Sequence, residues 1–190
     1  MEIMKNMLTI ILAAVAATGL RAQMKIGDVT LPNTLKVDNT TLLLNGGGIR
    51  EKFWMDMYVG GLYLKEKSGN AAAITKADSP MAIRLHIVSG LISSSRMTDA
   101  VEEGFEKSTG GKTEPLRKRI DAFKAVFDKE PISVNDVYDI AYLPGTGVKI
   151  FKNKKEQALI KGLDFKQALW GIWLCDDPAD EDLKEGMLGK

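Results

Sequence analysis

The pattern of apolar and polar residues changes period along the chain, and the changes order it into strands first and helices later. Met24 to Asp38 reads as two short strands around a Leu31-Pro32-Asn33 turn, and Thr41 to Leu44 as a further β-rich run. Lys52 to Leu64 is the longest extended stretch, dense in the aromatic, Val and Met residues that suit a pleated, half-buried surface. Met81 to Val88 alternates strictly, with Met81, Ile83, Leu85 and Ile87 on one face and Ala82, Arg84, His86 and Val88 on the other. The period then lengthens. From Ser93 onward, Met97, Ala100, Val101, Gly104 and Phe105 fall at helical spacing behind serines able to cap the start. Thr113 as N-cap and Pro115 in the first turn open a second helix, with Leu116, Ile120, Phe123 and Phe127 on one stripe.

Strand character returns over Asp136 to Leu143, Val148 to Phe151 and Gln157 to Ile160, with turn chemistry between them. Asp164 and Gln167 read as a capping box in front of Ala168 to Cys175, a run apolar on every side and therefore a buried helix. Asp177 and Pro178 start a last short helix carrying Leu183 and Met187. Strands at hairpin spacing argue against alternating βαβ units. The pattern predicts an α+β domain, a large antiparallel sheet with helices packed against one face.

The first 22 residues fall outside that pattern. Met7 to Leu20 is an uncharged run rich in Ile, Leu and Ala, preceded by Lys5, and it is shorter than the roughly 20 apolar residues a membrane span needs. It fits the apolar core of a secretory signal peptide, with Gly19, Leu20, Arg21 and Ala22 as the cleavage zone. The competing reading, an N-terminal core helix, would have no polar face. Residues 1–22 are thus expected to be a signal peptide and 23–190 a single exported domain, periplasmic or secreted, without a transmembrane segment.

Composition narrows the chemistry. With 26 basic and 25 acidic side chains, the chain has no cationic excess to drive nucleic-acid binding. One cysteine and one histidine leave neither a disulfide framework nor a Cys/His zinc site, so no metal or cofactor is expected. His86 lacks a nucleophile at motif spacing and reads as structural. Cys175 reads as an inert core thiol.

One region carries more specific information. The string Leu44-Asn45-Gly46-Gly47-Gly48-Ile49-Arg50, then Lys52-Phe53 and Tyr58-Val59-Gly60-Gly61-Leu62-Tyr63-Leu64, resembles the chalcone isomerase-like family, in particular its exported bacterial branch. Val29-Thr30-Leu31-Pro32, Tyr142-Leu143-Pro144-Gly145, Gly162-Leu163-Asp164-Phe165 and Ile172-Trp173-Leu174 extend the resemblance from about Val29 to Leu188. It implies an open-faced β-sandwich, a large antiparallel sheet covered by helices on one face. Plant enzymes of the family close a flavanone ring with an arginine, a threonine, a tyrosine and an asparagine. Arg50 takes the arginine's position and Tyr58 the threonine's. Leu91 to Ala100 contains no tyrosine, Ala100 or a neighbour stands for the asparagine, and Ile172 takes the site of a late polar residue. The family fold is therefore implied without its flavanone chemistry.

Fatty-acid-binding members of the family hold an arginine and a tyrosine at the Arg50 and Tyr58 positions. A guanidinium grips a carboxylate through a planar two-bond fork, and a phenol adds a third bond. The expected ligand is a fatty acid or another small amphipathic carboxylate, bound by Arg50 and Tyr58. Gly48, Phe53, Met55, Met57, Trp170 and Trp173 are the expected pocket lining. The bland competitors are an Arg50 paired with Glu51 or Asp56, a Tyr58 that is only a sheet aromatic, and glycines that mark a bulge. Two other functions stay open: an isomerase or intramolecular lyase acting on an unknown small substrate, and a structural partner in an envelope assembly.

Overall fold

The computed structural model describes residues 23–190, so the signal peptide predicted over residues 1–22 lies outside the described residues. Nine strands and five α-helices follow in the order β1 (Met24–Ile26), β2 (Val29–Leu31), β3 (Thr34–Val37), β4 (Thr40–Lys52), β5 (Met55–Leu64), α1 (Ala71–Lys76), β6 (Met81–Ile87), α2 (Ser94–Thr109), α3 (Arg117–Asp128), β7 (Val137–Leu143), β8 (Gly147–Lys152), β9 (Lys155–Ile160), α4 (Leu163–Leu174) and α5 (Glu181–Met187). Strands β3 to β9 form one seven-stranded sheet in sequence order, every neighbouring pair antiparallel. The chain is α+β, as the pattern predicts.

Helices cover one face of this sheet. The stripe of β6 formed by Met81, Ile83, Leu85 and Ile87 meets Met97, Val101 and Phe105 of α2, Ile120, Phe123 and Phe127 of α3, and the buried residues of α4 in the main core. Phe105, Phe123 and Phe165 interlock with ring centroids 5.6 to 6.3 Å apart, an arrangement worth some tenths to one and a half kcal/mol per pair beyond burial. The opposite face carries a smaller core of Leu35, Leu42, Leu44, Val59, Tyr63 and Ala82, roofed by Val29 and Leu31 of the separate β1–β2 hairpin. Tyr63 fastens that roof by donating its hydroxyl to the Pro32 carbonyl at 3.0 Å.

Four local readings are corrected, one of them at the last helix, which starts at Glu181 behind the Asp180 cap rather than at Asp177 and Pro178, and one helix that the pattern did not show appears. The N-terminal segment makes three strands, because Gly27 at a φ of 55° and Asp28 turn β1 onto β2, and Pro32-Asn33 separates β2 from β3. Lys52 to Leu64 is not one extended stretch: Phe53 and Trp54 form a two-residue turn between β4 and β5. Helix α1 escapes a periodicity search at six residues, although Asn70 caps it through a bond from the Ala73 N–H at 2.9 Å. The expected capping box does not form. Gly162 is the N-cap of α4, while Asp164 grips Arg119 in a two-bond ion pair and Gln167 donates to the Lys76 carbonyl.

The apolar helix α4 hides one cation. Lys166 is fully buried, yet its ammonium donates to the carbonyls of Ile74, Thr75 and Ala77 at 2.8 to 2.9 Å and so caps the C-terminus of α1. Burial pulls its pKa down to about 8. None of the described helices is long and apolar enough to cross a membrane.

Candidate functional site

The site is built on the β4–β5 ribbon. Arg50 stands opposite Tyr58, whereas the next pair is Glu51 with Asp56, so Met57 is an extra residue on β5. A bulge of this kind breaks the alternation and brings consecutive side chains to one side. Met57 and Tyr58 accordingly both enter the core beneath the helices. The Arg50 guanidinium carbon lies 5.7 Å from the centre of the Tyr58 ring, within stacking range.

Tyr58 is buried, and the Trp173 indole N–H donates to its hydroxyl oxygen at 2.9 Å. Burial raises the Tyr58 pKa, with Arg50 opposing the shift, so the phenol keeps its proton at neutral pH. With Trp173 occupying the oxygen as donor, the phenolic hydrogen is left to be given rather than received. Arg50 is not in an ion pair with Glu51 or Asp56; the Glu51 backbone N–H instead bonds the Asp180 carboxylate that caps α5. The Nε of Arg50 is buried without a hydrogen-bond partner among the described residues.

These two groups stand where an outer cavity of about 300 Å³ narrows into an inner void of about 30 Å³. The outer cavity is lined by Phe53, Met55, Met57, Leu91, Ile92 and Met97, with Lys52, Arg96, Asp99 and Glu103 toward its mouth. The space beyond is lined by Leu85, Val101, Phe123, Phe127, Ile172 and Trp173. Ala100 lines both spaces. The structure therefore brings together Arg50, Tyr58, Phe53, Met55, Met57 and Trp173.

Gly48 and Trp170 do not join them. A Cβ on Gly48 would lie 3.2 Å from the Leu183 Cα, because Gly46 and Gly48 make room for α5, while Gly47 faces Leu31 of the β1–β2 roof. The glycine triplet admits a helix, not a ligand. Trp170 is fully buried, with the Lys166 ammonium 5.6 Å from its ring. The α2 side of the cavity, Leu91 to Ala100, was visible in the sequence as a helix start and a core stripe, and through the family resemblance as a segment without the polar groups of the plant enzymes. Which of its residues face a cavity depends on how α2 lies across β5 and β6, a tertiary fact.

The geometry now has relatives to stand beside. The chalcone isomerase-like family profile matches residues 23–189, and the chain belongs to this family. Among solved structures it is similar to an Arabidopsis thaliana fatty-acid binding protein, with a TM-score of 0.68 over 85% of this chain and 92% of that one. The two share 19% identity, so the likeness is one of fold. No curated protein sequence matches the chain.

Proposed function

We propose that this protein is an exported, non-catalytic binder of a fatty acid or a similar amphipathic carboxylate. The observation that carries the reading is Arg50: a cation whose Nε is buried and unpartnered, beside a protonated phenol held by Trp173, at the inner end of an apolar cavity. A carboxylate supplies what both groups lack, two acceptor oxygens for the fork and one for the phenol. The family membership and the fold shared with a fatty-acid binding protein support it.

The cavity also orients the ligand. The inner void has room for about one water, so a tail cannot pass beyond Arg50. The carboxylate goes in first and the tail lies outward along Met57, Met55 and Phe53. At roughly 30 Å³ per methylene, taken as near a water's share of liquid volume, the outer cavity holds a chain of about ten carbons. Ala100 and Ile172 line the two spaces where a catalytic relative would need polar groups, which favours binding over isomerisation.

Export rests on the apolar run from Met7 to Leu20. Expression of the full chain in a bacterial host, purification from the periplasm and native mass spectrometry with solvent extraction test both parts. A processed N-terminus near Ala22 and a co-purifying medium-chain acid are expected. A cytoplasmic, unprocessed protein would defeat the export reading, and an empty protein that does not take up a fluorescent fatty acid would defeat the binding one.

A further inference from the structure

Among the described residues, the exposed large apolar side chains are Phe53, Trp54, Met55, Leu91, Val134 and Leu159. Only Leu159 lies elsewhere, on the edge strand β9. The other five gather at one end of the sheet, where β4 turns into β5, β6 leaves for α2 and the chain enters β7. Val134 reaches within 3.9 Å of a Cβ built on Gly90, beside Leu91. Phe53, Met55 and Leu91 form the mouth of the outer cavity.

The turn at this end is unusual in its chemistry. Phe53 and Trp54 have φ of 54° and 60°, so a two-residue hairpin loop that favours Asn-Gly is built from two large aromatic side chains. Trp54 is 95% exposed. A left-handed backbone and aromatic rings standing in water are both unfavourable, and their coincidence at the rim of a cavity points to a use for the rings.

We propose that the Phe53-Trp54 turn is a docking tip that inserts into the interfacial layer of a zwitterionic lipid bilayer and sets the cavity mouth against the lipid. The inference rests on the ligand reading above. A fatty acid in a bilayer keeps its carboxylate at the surface and its tail inside, so a protein seated there meets the head first. That is the order in which a cavity with Arg50 at its inner end must be filled. Tryptophan and phenylalanine suit the bilayer interface, the indole keeping its N–H among the headgroups. Around the mouth Lys52 and Arg96 are balanced by Asp99 and Glu103, so no cationic excess selects an anionic surface. The tip's two rings offer roughly 150–250 Å² each. That is well below the roughly 800 Å² per partner of a stable protein interface.

The test uses the purified protein and phosphatidylcholine vesicles, with and without brominated acyl chains. Of the three tryptophans, Trp170 and Trp173 are buried, so quenching reports on Trp54. Vesicles are expected to shift the emission to the blue, and bromolipid to quench it, at low and high salt alike. The double substitution Phe53→Ser and Trp54→Ser is expected to weaken vesicle co-flotation by at least about tenfold. Trp54→Ser alone is expected to leave uptake of a water-soluble fluorescent fatty acid unchanged. Neither flotation nor quenching with neutral vesicles would overturn the proposal, as would binding confined to anionic vesicles and abolished by salt. A concentration-dependent dimer lost in Trp54→Ser, without vesicle binding, would overturn it in favour of a protein contact. Docking that persists while Arg50→Met takes up fatty acid as well as wild type would instead refute the ligand reading alone.

Discussion

Replacing Arg50 by methionine is expected to make the protein more stable and its cavity nearly useless. The guanidinium keeps a buried Nε without a partner, and such a donor costs about 1–3 kcal/mol of desolvation. Against that stands the stacking of the guanidinium on Tyr58 at 5.7 Å, worth about 0.5–1 kcal/mol at a half-exposed site. Methionine keeps an unbranched apolar stem along the same wall, beside Met57 and Met97, and adds no charge. The balance is a gain of about 1 kcal/mol, or roughly 2–4 °C in Tm for a chain of this size. Ligand binding moves the other way. A carboxylate brought to the inner end without its cation is left unpaired, a loss of about 2–4 kcal/mol. That is roughly 30- to 700-fold in Kd.

The assay pairs thermal unfolding with titration of a fluorescent medium-chain acid, with and without ligand in the melt. Ligand is expected to raise the wild-type Tm and leave that of Arg50→Met unmoved, since only a species that binds the native state stabilises it. A variant that is less stable than wild type and binds as tightly would refute the reasoning at both ends, and would make Arg50 a structural residue of the β4–β5 ribbon.

Tyr58→Phe is expected to reverse the proportions: it strands the buried Trp173 N–H and costs about 1–2 kcal/mol in urea unfolding, while affinity falls by only about 0.5–1.5 kcal/mol. Replacing Phe53 by Asn and Trp54 by Gly together is expected to raise stability by about 1–2 kcal/mol, because both positions sit at positive φ, and the same chemical denaturation measures it. Arg117 and Lys124 hold the Glu102 carboxyl down to about 2 from an ordinary 4.5, so this triad's stabilisation is full above pH 4.5 and lost as the pH falls toward 2. After allowance for solvent screening the loss is about 1 kcal/mol; Glu102→Gln should flatten that part of the stability–pH curve.

Much of this architecture was legible in the sequence because burial imposes a period. The stripe of Met81, Ile83, Leu85 and Ile87 and the helical stripes of α2 and α3 are found in the main core as read. What escaped has physical causes. The turn at Phe53 and Trp54 was hidden because its residue types belong to strands, and only the register of β4 on β5 reveals it. Lys166 was hidden because three carbonyls of a helix distant in sequence satisfy its charge. The glycines were legible as a place of close approach, but whether a ligand or a helix approaches was decided by α5, which Asp180 anchors to the Glu51 N–H of β4. At the site, Arg50 and Tyr58 were found through the family motif, and the bulge that turns Met57 beside Tyr58 was not.

Two local costs of the fold therefore sit at one end of one ribbon, and the fold alone supplies no reason for either. An Asn-Gly turn and a methionine at position 50 would each satisfy the backbone or the core better than the residues present. Elsewhere the chain resolves comparable conflicts: Lys166 is fully bonded, Arg84 is held by Asp139 in a two-bond pair, and Asn45 bonds Ser68 and Met187 at the other bulge of β4. Among the described residues three buried side-chain atoms lack a partner, Arg50 Nε, the Tyr138 hydroxyl and the Trp170 indole N–H, and of these only Arg50 carries a charge and lines a cavity, which marks that cavity as the place where stability gives way to binding. The order of the unmet needs follows the path a ligand would take, apolar rings at the rim, a flexible methionine wall, then a cation and a phenol at the inner end. An amphipathic carboxylate arriving head first meets each of them in turn.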